Sequence, residues 1–262
     1  MMVRHRKKYL GLFFAVLVVA GAAGGWYWHE REWKAGALWR IVSEKCVPGE
    51  QKNHNPAPCK EVNLQQGYVL LKDLNGPLQF LLMPVERITG IESPELLSPT
   101  TPNFFWDAWH ERGVMAEKRG APVPDTAISL AINSPTGRTQ NQLHIHISCL
   151  RNDIRQTIDK FQYAVGAQWQ PFPDNLAGEE WLARTLTPEE LKNQSLFINF
   201  AQQVGGAAKQ MGHFSLALVA LKSGKLLALA TERDLLHGNP ASAEVLQDHT
   251  CAILTTPETQ KP

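Results

Sequence analysis

Two histidines one residue apart, His144 and His146, stand in the segment Gln142-Leu143-His144-Ile145-His146-Ile147-Ser148. Imidazole titrates near neutral pH, which makes it the side chain best suited to nucleophilic attack and proton transfer there. Side chains along a strand alternate between its faces. A period of 2 sends Gln142, His144, His146 and Ser148 to one face and Leu143, Ile145, Ile147 and Cys149 to the other. One face can then pack on a core while the other presents two imidazoles roughly 7 Å apart, at about 3.3 Å per residue. Chance, half a metal site and a pair of solvated edge histidines are the competing readings. A metal needs a third and usually a fourth ligand. His110 and His213 are not in ligand spacing, and neither Cys-x-x-Cys nor His-Glu-x-x-His occurs, so no metal ligand set is assigned.

The flanking elements must hold the pair and supply its partners. Residues 126–133 read as a strand and Ser134-Pro135-Thr136-Gly137 as a turn, which makes a hairpin with the histidine strand. The approach Gly137-Arg138-Thr139-Gln140-Asn141 offers backbone N–H groups and hydroxyls to a phosphate. Residues 68–84 read as strand, Asn75-Gly76-Pro77 turn and strand, with Asp73 just before the turn. Trp106, Trp109 and Met115, at helical spacing in a helix expected over 103–118, read as core. No Gly-x-Ser-x-Gly, Walker A or Gly-x-Gly-x-x-Gly motif competes for the chemistry. A net charge of +1 excludes a bulk electrostatic footprint for nucleic acid.

Over residues 67–150 these motifs resemble the histidine-triad superfamily of nucleotide hydrolases and transferases, whose signature is His-φ-His-φ-His-φ-φ with φ apolar. Gly137 and Thr139 match the glycine seven residues, and the hydroxyl residue five residues, before the central histidine. Asp73 and the strand end Met83-Pro84 resemble the family's ribose-binding acid and its hydrophobic-Pro strand end. The resemblance implies that His144 is the nucleophile, that His146 is the last histidine and that Gln142 replaces the first. It implies Asp73 for the ribose, Asn133 for ribose or phosphate, and Gly137, Thr139 and Arg138 for phosphate; a solvated turn charge is the bland reading of Arg138. No metal or other cofactor is implied. Cys46…Cys59, residues 71–79, 102–106, 137–141 and Gln247-Asp248-His249-Thr250-Cys251, together with an N-terminal anchor, resemble the CDP-diacylglycerol pyrophosphatase family. That implies hydrolysis of CDP-diacylglycerol to CMP and phosphatidate at the inner membrane, through a cytidylyl-histidine intermediate, with no protein partner identified. The alternatives are a histidine-triad hydrolase or nucleotidyltransferase acting on another nucleotide diphosphate derivative, and a non-enzymatic membrane-anchored factor that binds metal.

Residues 9–28 carry no charged side chain and follow Arg4, Arg6, Lys7 and Lys8. Twenty residues at about 1.5 Å each span roughly 30 Å, a bilayer's hydrocarbon thickness. The basic flank keeps the N-terminus cytoplasmic and exports the rest, and Trp26, Tyr27 and Trp28 form an interfacial belt. A cleaved signal peptide is the competing reading. Four cysteines in an exported chain make two disulfides. The short proline-rich loop favours Cys46 with Cys59, which leaves Cys149 for Cys251, although three pairings are open. The organisation expected is a basic segment 1–8, an anchor 9–28, a juxtamembrane segment with the Cys loop 29–60, a catalytic half 61–160 and a second half 161–262. The fold class expected is α+β: a histidine-triad-like antiparallel sheet with helices. Helix, strand, strand recurs at 188–230 and allows a degenerate second copy. His213, His237 and His249 read as structural or solvated. Trp169, Phe172 and Trp181 read as core residues, some of them candidates to lie against acyl chains.

Overall fold

The structure is a computed structural model that describes residues 24–255. Most of the span expected at 9–28 therefore lies outside the described residues. Among the described residues, no helix is long and apolar enough to cross a membrane. Residues 24–53 run helical, with a turn at Gly36 and a π-helical stretch at Ile41–Cys46. Nine strands follow: β1 (Glu61–Asn63), β2 (Tyr68–Lys72), β3 (Phe80–Pro84), β4 (Ile128–Ile132), β5 (Ile145–Cys149), β6 (Gln170–Pro171), β7 (Leu182–Leu186), β8 (Phe214–Ala220) and β9 (Leu226–Glu232). They form one antiparallel sheet in the order β1-β2-β3-β5-β4-β8-β9-β7-β6. The order is mirrored about the central β4–β8 pair: β4, β5, β3, β2 on one side and β8, β9, β7, β6 on the other.

The helix expected over 103–118 is divided into α1 (Phe104–His110) and α2 (Val114–Arg119) around a 3₁₀ turn, and the helical start of 188–230 is likewise divided into α4 (Pro188–Asn193) and α5 (Leu196–Gln203). Local capping explains the starts. Asn103 accepts from the Trp106 N–H, and Thr187 with Glu190 closes a capping box over Pro188. These helices cover one face of the sheet with a continuous core, including Phe105, Trp109, Phe197 and Phe200. Strand alternation sends the other side chains to the opposite face, where the cover is split. The N-terminal helix packs Val42 and Cys46 on Val69, Leu71, Leu81 and Met83, while α3 (Asn152–Phe161) packs Ile154 and Ile158 near Val219, Leu227 and Leu229. A cross-strand row on this face reads Leu71, Leu81, His146, Ala131, Ala217, Leu229, Ala183. His146 is its one polar member, lying in the gap between the two apolar covers, and Ala131 and Ala217 beside it leave headroom. Both disulfides form, Cys46–Cys59 in the Cys loop and Cys149–Cys251 from the end of β5 to the C-terminal segment.

Candidate active site

The gap opens as a cavity of about 500 Å³ whose lining includes His144, His146, Asp73, Asn133, Gly137, Arg138 and Thr139. The fold thus gathers all of the expected site residues except Gln142, from β5 and the residue just before it, the β2–β3 turn and the 133–139 turn. Both imidazoles are buried, and their rings meet edge to face with centroids 4.9 Å apart.

Each ring is held by one bond that sets its tautomer. The Nδ1 of His144 lies 2.6 Å from the backbone carbonyl oxygen of Gln142. A carbonyl only accepts, so Nδ1 carries the proton and Nε2 keeps its lone pair. At His146 the relation is reversed. Gln79 Nε2 donates to the Asp73 carboxylate at 2.6 Å and has a second proton for His146 Nδ1 at 3.1 Å. The acceptor-only carboxylate fixes the amide orientation, so Nδ1 of His146 accepts and Nε2–H is a buried donor with no partner. The site therefore presents one imidazole lone pair and one imidazole N–H. Burial, reinforced by the neighbouring His146, holds His144 down to about 4. Burial also lowers His146 to about 4, against the pull of Asp73. Both are neutral near pH 7, the form a nucleophile requires.

The remaining expected residues take unequal parts. Gln142 is fully buried and donates to the Pro84 and Glu86 carbonyls, so its side chain is absent from the cavity wall. The reason is local: β5 begins only at Ile145, and period-2 alternation does not extend back to 142. Gln142 acts instead through the carbonyl that orients His144. Arg138 lines the cavity, but Glu92 binds it with both oxygens, at 2.7 and 2.5 Å. It is thus neither a solvated turn charge nor an unpaired cation for phosphate. Gly137 gives its N–H to Ser134, and a Cβ at 137 would stand 2.7 Å from the Ala241 carbonyl oxygen. Its role is close approach, while the exposed Thr139 hydroxyl on the same loop lines the cavity as a donor. Asn133 donates to Glu244 at 3.1 Å and accepts from the Glu244 N–H and Ser242. Asp73 keeps acceptor capacity toward the cavity while holding Gln79 and the Asn75 N–H.

Three further residues complete the site, and Lys72 borders it. Lys72 pairs with Phe80 on the face opposite His146, where its Nζ donates to the Asp73 and Gly76 carbonyls and lies 5.9 Å from the centre of the Phe80 ring; burial lowers its pKa. Gln79 is the relay described above. Glu244 Oε1 lies 3.5 Å from His146 Nδ1 and 3.1 Å from His249 Nε2. His249 thus belongs to the site rather than to a solvated surface. A signal for it was present in sequence: a Cys149–Cys251 bridge brings 249 close to the end of the strand carrying His146. Among the described residues, no group of three or more His, Cys, Asp or Glu side chains is arranged to hold a metal ion. Trp169 and Phe172 pack with core clusters, and Trp181 is buried with its indole N–H on the Leu176 carbonyl.

Compared with known protein families, residues 33–255 match the model of the family described as CDP-diacylglycerol pyrophosphatase.

Proposed function

The chain belongs to the CDP-diacylglycerol pyrophosphatase family and hydrolyses the pyrophosphate bond of CDP-diacylglycerol; from that premise we propose that the bond is broken by two displacements at His144. The opposite tautomers of His144 and His146 carry this reading. In the first step the Nε2 lone pair of His144 attacks the phosphorus that bears cytidine. The bond to the bridging oxygen breaks, its electrons stay on that oxygen, and phosphatidate leaves. A phosphomonoester is a good leaving group, so a hydrogen bond from His146 Nε2–H to the departing oxygen is enough without full proton transfer. Thr139 donates to the non-bridging oxygens, whose charge would otherwise repel the nucleophile. In the second step water attacks the cytidylyl-His144 phosphorus, the P–N bond breaks, CMP leaves and Glu244 takes the water's proton. Asp73 has lone pairs left for ribose hydroxyls.

The resemblance to histidine-triad hydrolases supports this assignment, and the mirrored strand order supports reading 161–262 as a degenerate second copy. In that copy Leu227 and Leu229 of β9 face α3 where the first half has its histidines. The apolar run 9–28, its basic flank and the two disulfides support residence in the inner membrane with the catalytic part on the oxidising, periplasmic side. Protease protection in intact spheroplasts tests that orientation: the catalytic part should be digested from outside.

Acid-sparing mass spectrometry of protein quenched during turnover tests the chemistry. A cytidylyl adduct is expected on His144, with none in His144→Ala, which should also lose turnover. Near-normal turnover by His144→Ala would refute the mechanism.

A further inference from the structure

The cavity has two chemically different walls. The histidine pair, Asp73 and Thr139 form one, and Ala37, Leu38 and Ile41 of the N-terminal helix, with Pro58, form part of the other. Ala37 and Leu38 stand four and three positions before Ile41, so each neighbours it on the helix surface. Leu74, also in the lining, is fully exposed at the tip of the β2–β3 turn. A lone exposed leucine is ordinary on a protein surface, but this one adjoins the apolar wall of the same cavity. The substrate is divided in the same way: an anionic nucleotide and a hydrocarbon half joined at the bond to be cleaved. We propose that the Ala37, Leu38, Ile41 and Pro58 wall, with Leu74 at its mouth, holds the glycerol-proximal ends of the substrate's acyl chains. The nucleotide is thereby directed to the Asp73 side.

Continuity along the helix supports this occupant. A second groove of about 530 Å³ shares Arg138 and Thr139 with the cavity and is lined by Tyr27, Trp28 and Ala35 together with the charged Glu30, Arg31, Glu32 and Lys34. Trp26, Tyr27, Trp28 and Trp33 are 60–74% exposed, so the helix that forms the apolar wall carries exposed aromatic rings among charges at its N-terminal end. Amphipathic aromatic rings in such company suit a lipid–water boundary. The larger cavity at the other end of the sheet, about 900 Å³, mixes Phe172, Trp181 and Phe214 with Asp174, Glu179, Glu180, Glu232 and Asp234 and contains neither histidine of the pair. The helix is also fixed to the phosphate side. At the Gly36 turn the Lys34 and Ala35 carbonyls accept from Gln140 and the Asn141 N–H, and Leu38 N–H donates to Gln140. A lipid on this wall is therefore held in register with the histidines.

The inference rests on the histidine pair being the reaction centre, and its test separates the two. The full chain carrying His144→Ala, in mixed micelles, is irradiated with CDP-diacylglycerol bearing a diazirine near the carbonyl end of one acyl chain. Labelling is expected at residues 37–41, 58 or 74. Labelling confined to other residues, or none above a micelle-only control, overturns the proposal. In the active chain Leu74→Asp, at a fully exposed position that does not endanger folding, should lower the ratio of kcat/KM for long-chain over dibutanoyl substrate at least tenfold. A ratio within twofold of the parent's counts against the wall. Sustained turnover by His144→Ala would instead fault the catalytic reading, whichever residues are labelled.

Discussion

At the scale of single residues, what separates His144 from His146 is which ring nitrogen is engaged and by what. A carbonyl behind His144 frees a lone pair, and an amide beside His146 frees a proton. Protonation of His144 Nε2 removes the lone pair, so activity falls as pH drops through its pKa. Because burial holds that pKa at about 4, the acid limb of kcat/KM, which reports the free protein, should fall near pH 4 rather than near 6.5. A limb at 6.5 would mean that the ring is solvated. Thr139 should matter more than Arg138, since the latter is neutralised by Glu92. Thr139→Val is expected to lower kcat/KM by about 100- to 1,000-fold, the usual cost of one donor to a charge that develops in the transition state. A loss below threefold in steady-state assays would remove Thr139 from the reaction.

At the scale of elements, the turn between β2 and β3 does two jobs, carrying Asp73 and packing on the segment that carries His249. Gly76 has φ +63°, and a Cβ there would stand 2.3 Å from the His249 carbonyl oxygen. Gly76→Ala should therefore cost about 1–3 kcal/mol of stability through backbone strain alone. It should also lower activity by pushing Asp73 and His249 apart, measured as paired losses in urea midpoint and kcat. A variant with parental stability and kcat would show that the two segments do not depend on each other. The π-helical stretch and the Gly36 turn make the N-terminal helix fit the site instead of running past it.

At the scale of the molecule, the bridges contribute unequally. Cys149–Cys251 spans 102 residues and Cys46–Cys59 spans 13. On the chain-entropy account these correspond to about 4.7 and about 3 kcal/mol. Replacing the first pair by serine should lower stability more and, by releasing His249 and the end of β5, activity more; guanidinium titration with kinetics on each double variant checks the ranking. Stability should also depend on pH through the histidine pair. The unfolded chain binds protons at the ordinary 6.5 and the folded chain only near 4. The stability that this difference contributes is present above 6.5 and is lost as pH falls toward 4. The urea midpoint should fall across that window, less steeply in a His144→Ala, His146→Ala double variant.

The sequence by itself determined the reactive pair, the two hairpins around it, the phosphate-approach loop and the even cysteine set. Those are local matters: a period of 2, turn residues at fixed positions and an even cysteine count need no knowledge of distant contacts. Tertiary structure decided the rest. Whether a strand starts at 142 or at 145 depends on which partner offers ladder bonds, and β3 pairs only from Ile145 onward, which turned the Gln142 side chain away from the site. Arg138 looked available because its partner Glu92 is 46 residues away. Gln79 and His249 stood in segments that carry the family resemblance but without a role of their own, Glu244 in none, and all three joined the site when the sheet and the Cys149–Cys251 bridge folded them onto His146. Hydrogen bonds that set a tautomer act over about 3 Å, and no spacing along the chain encodes the one between Gln79 and His146, 67 positions apart.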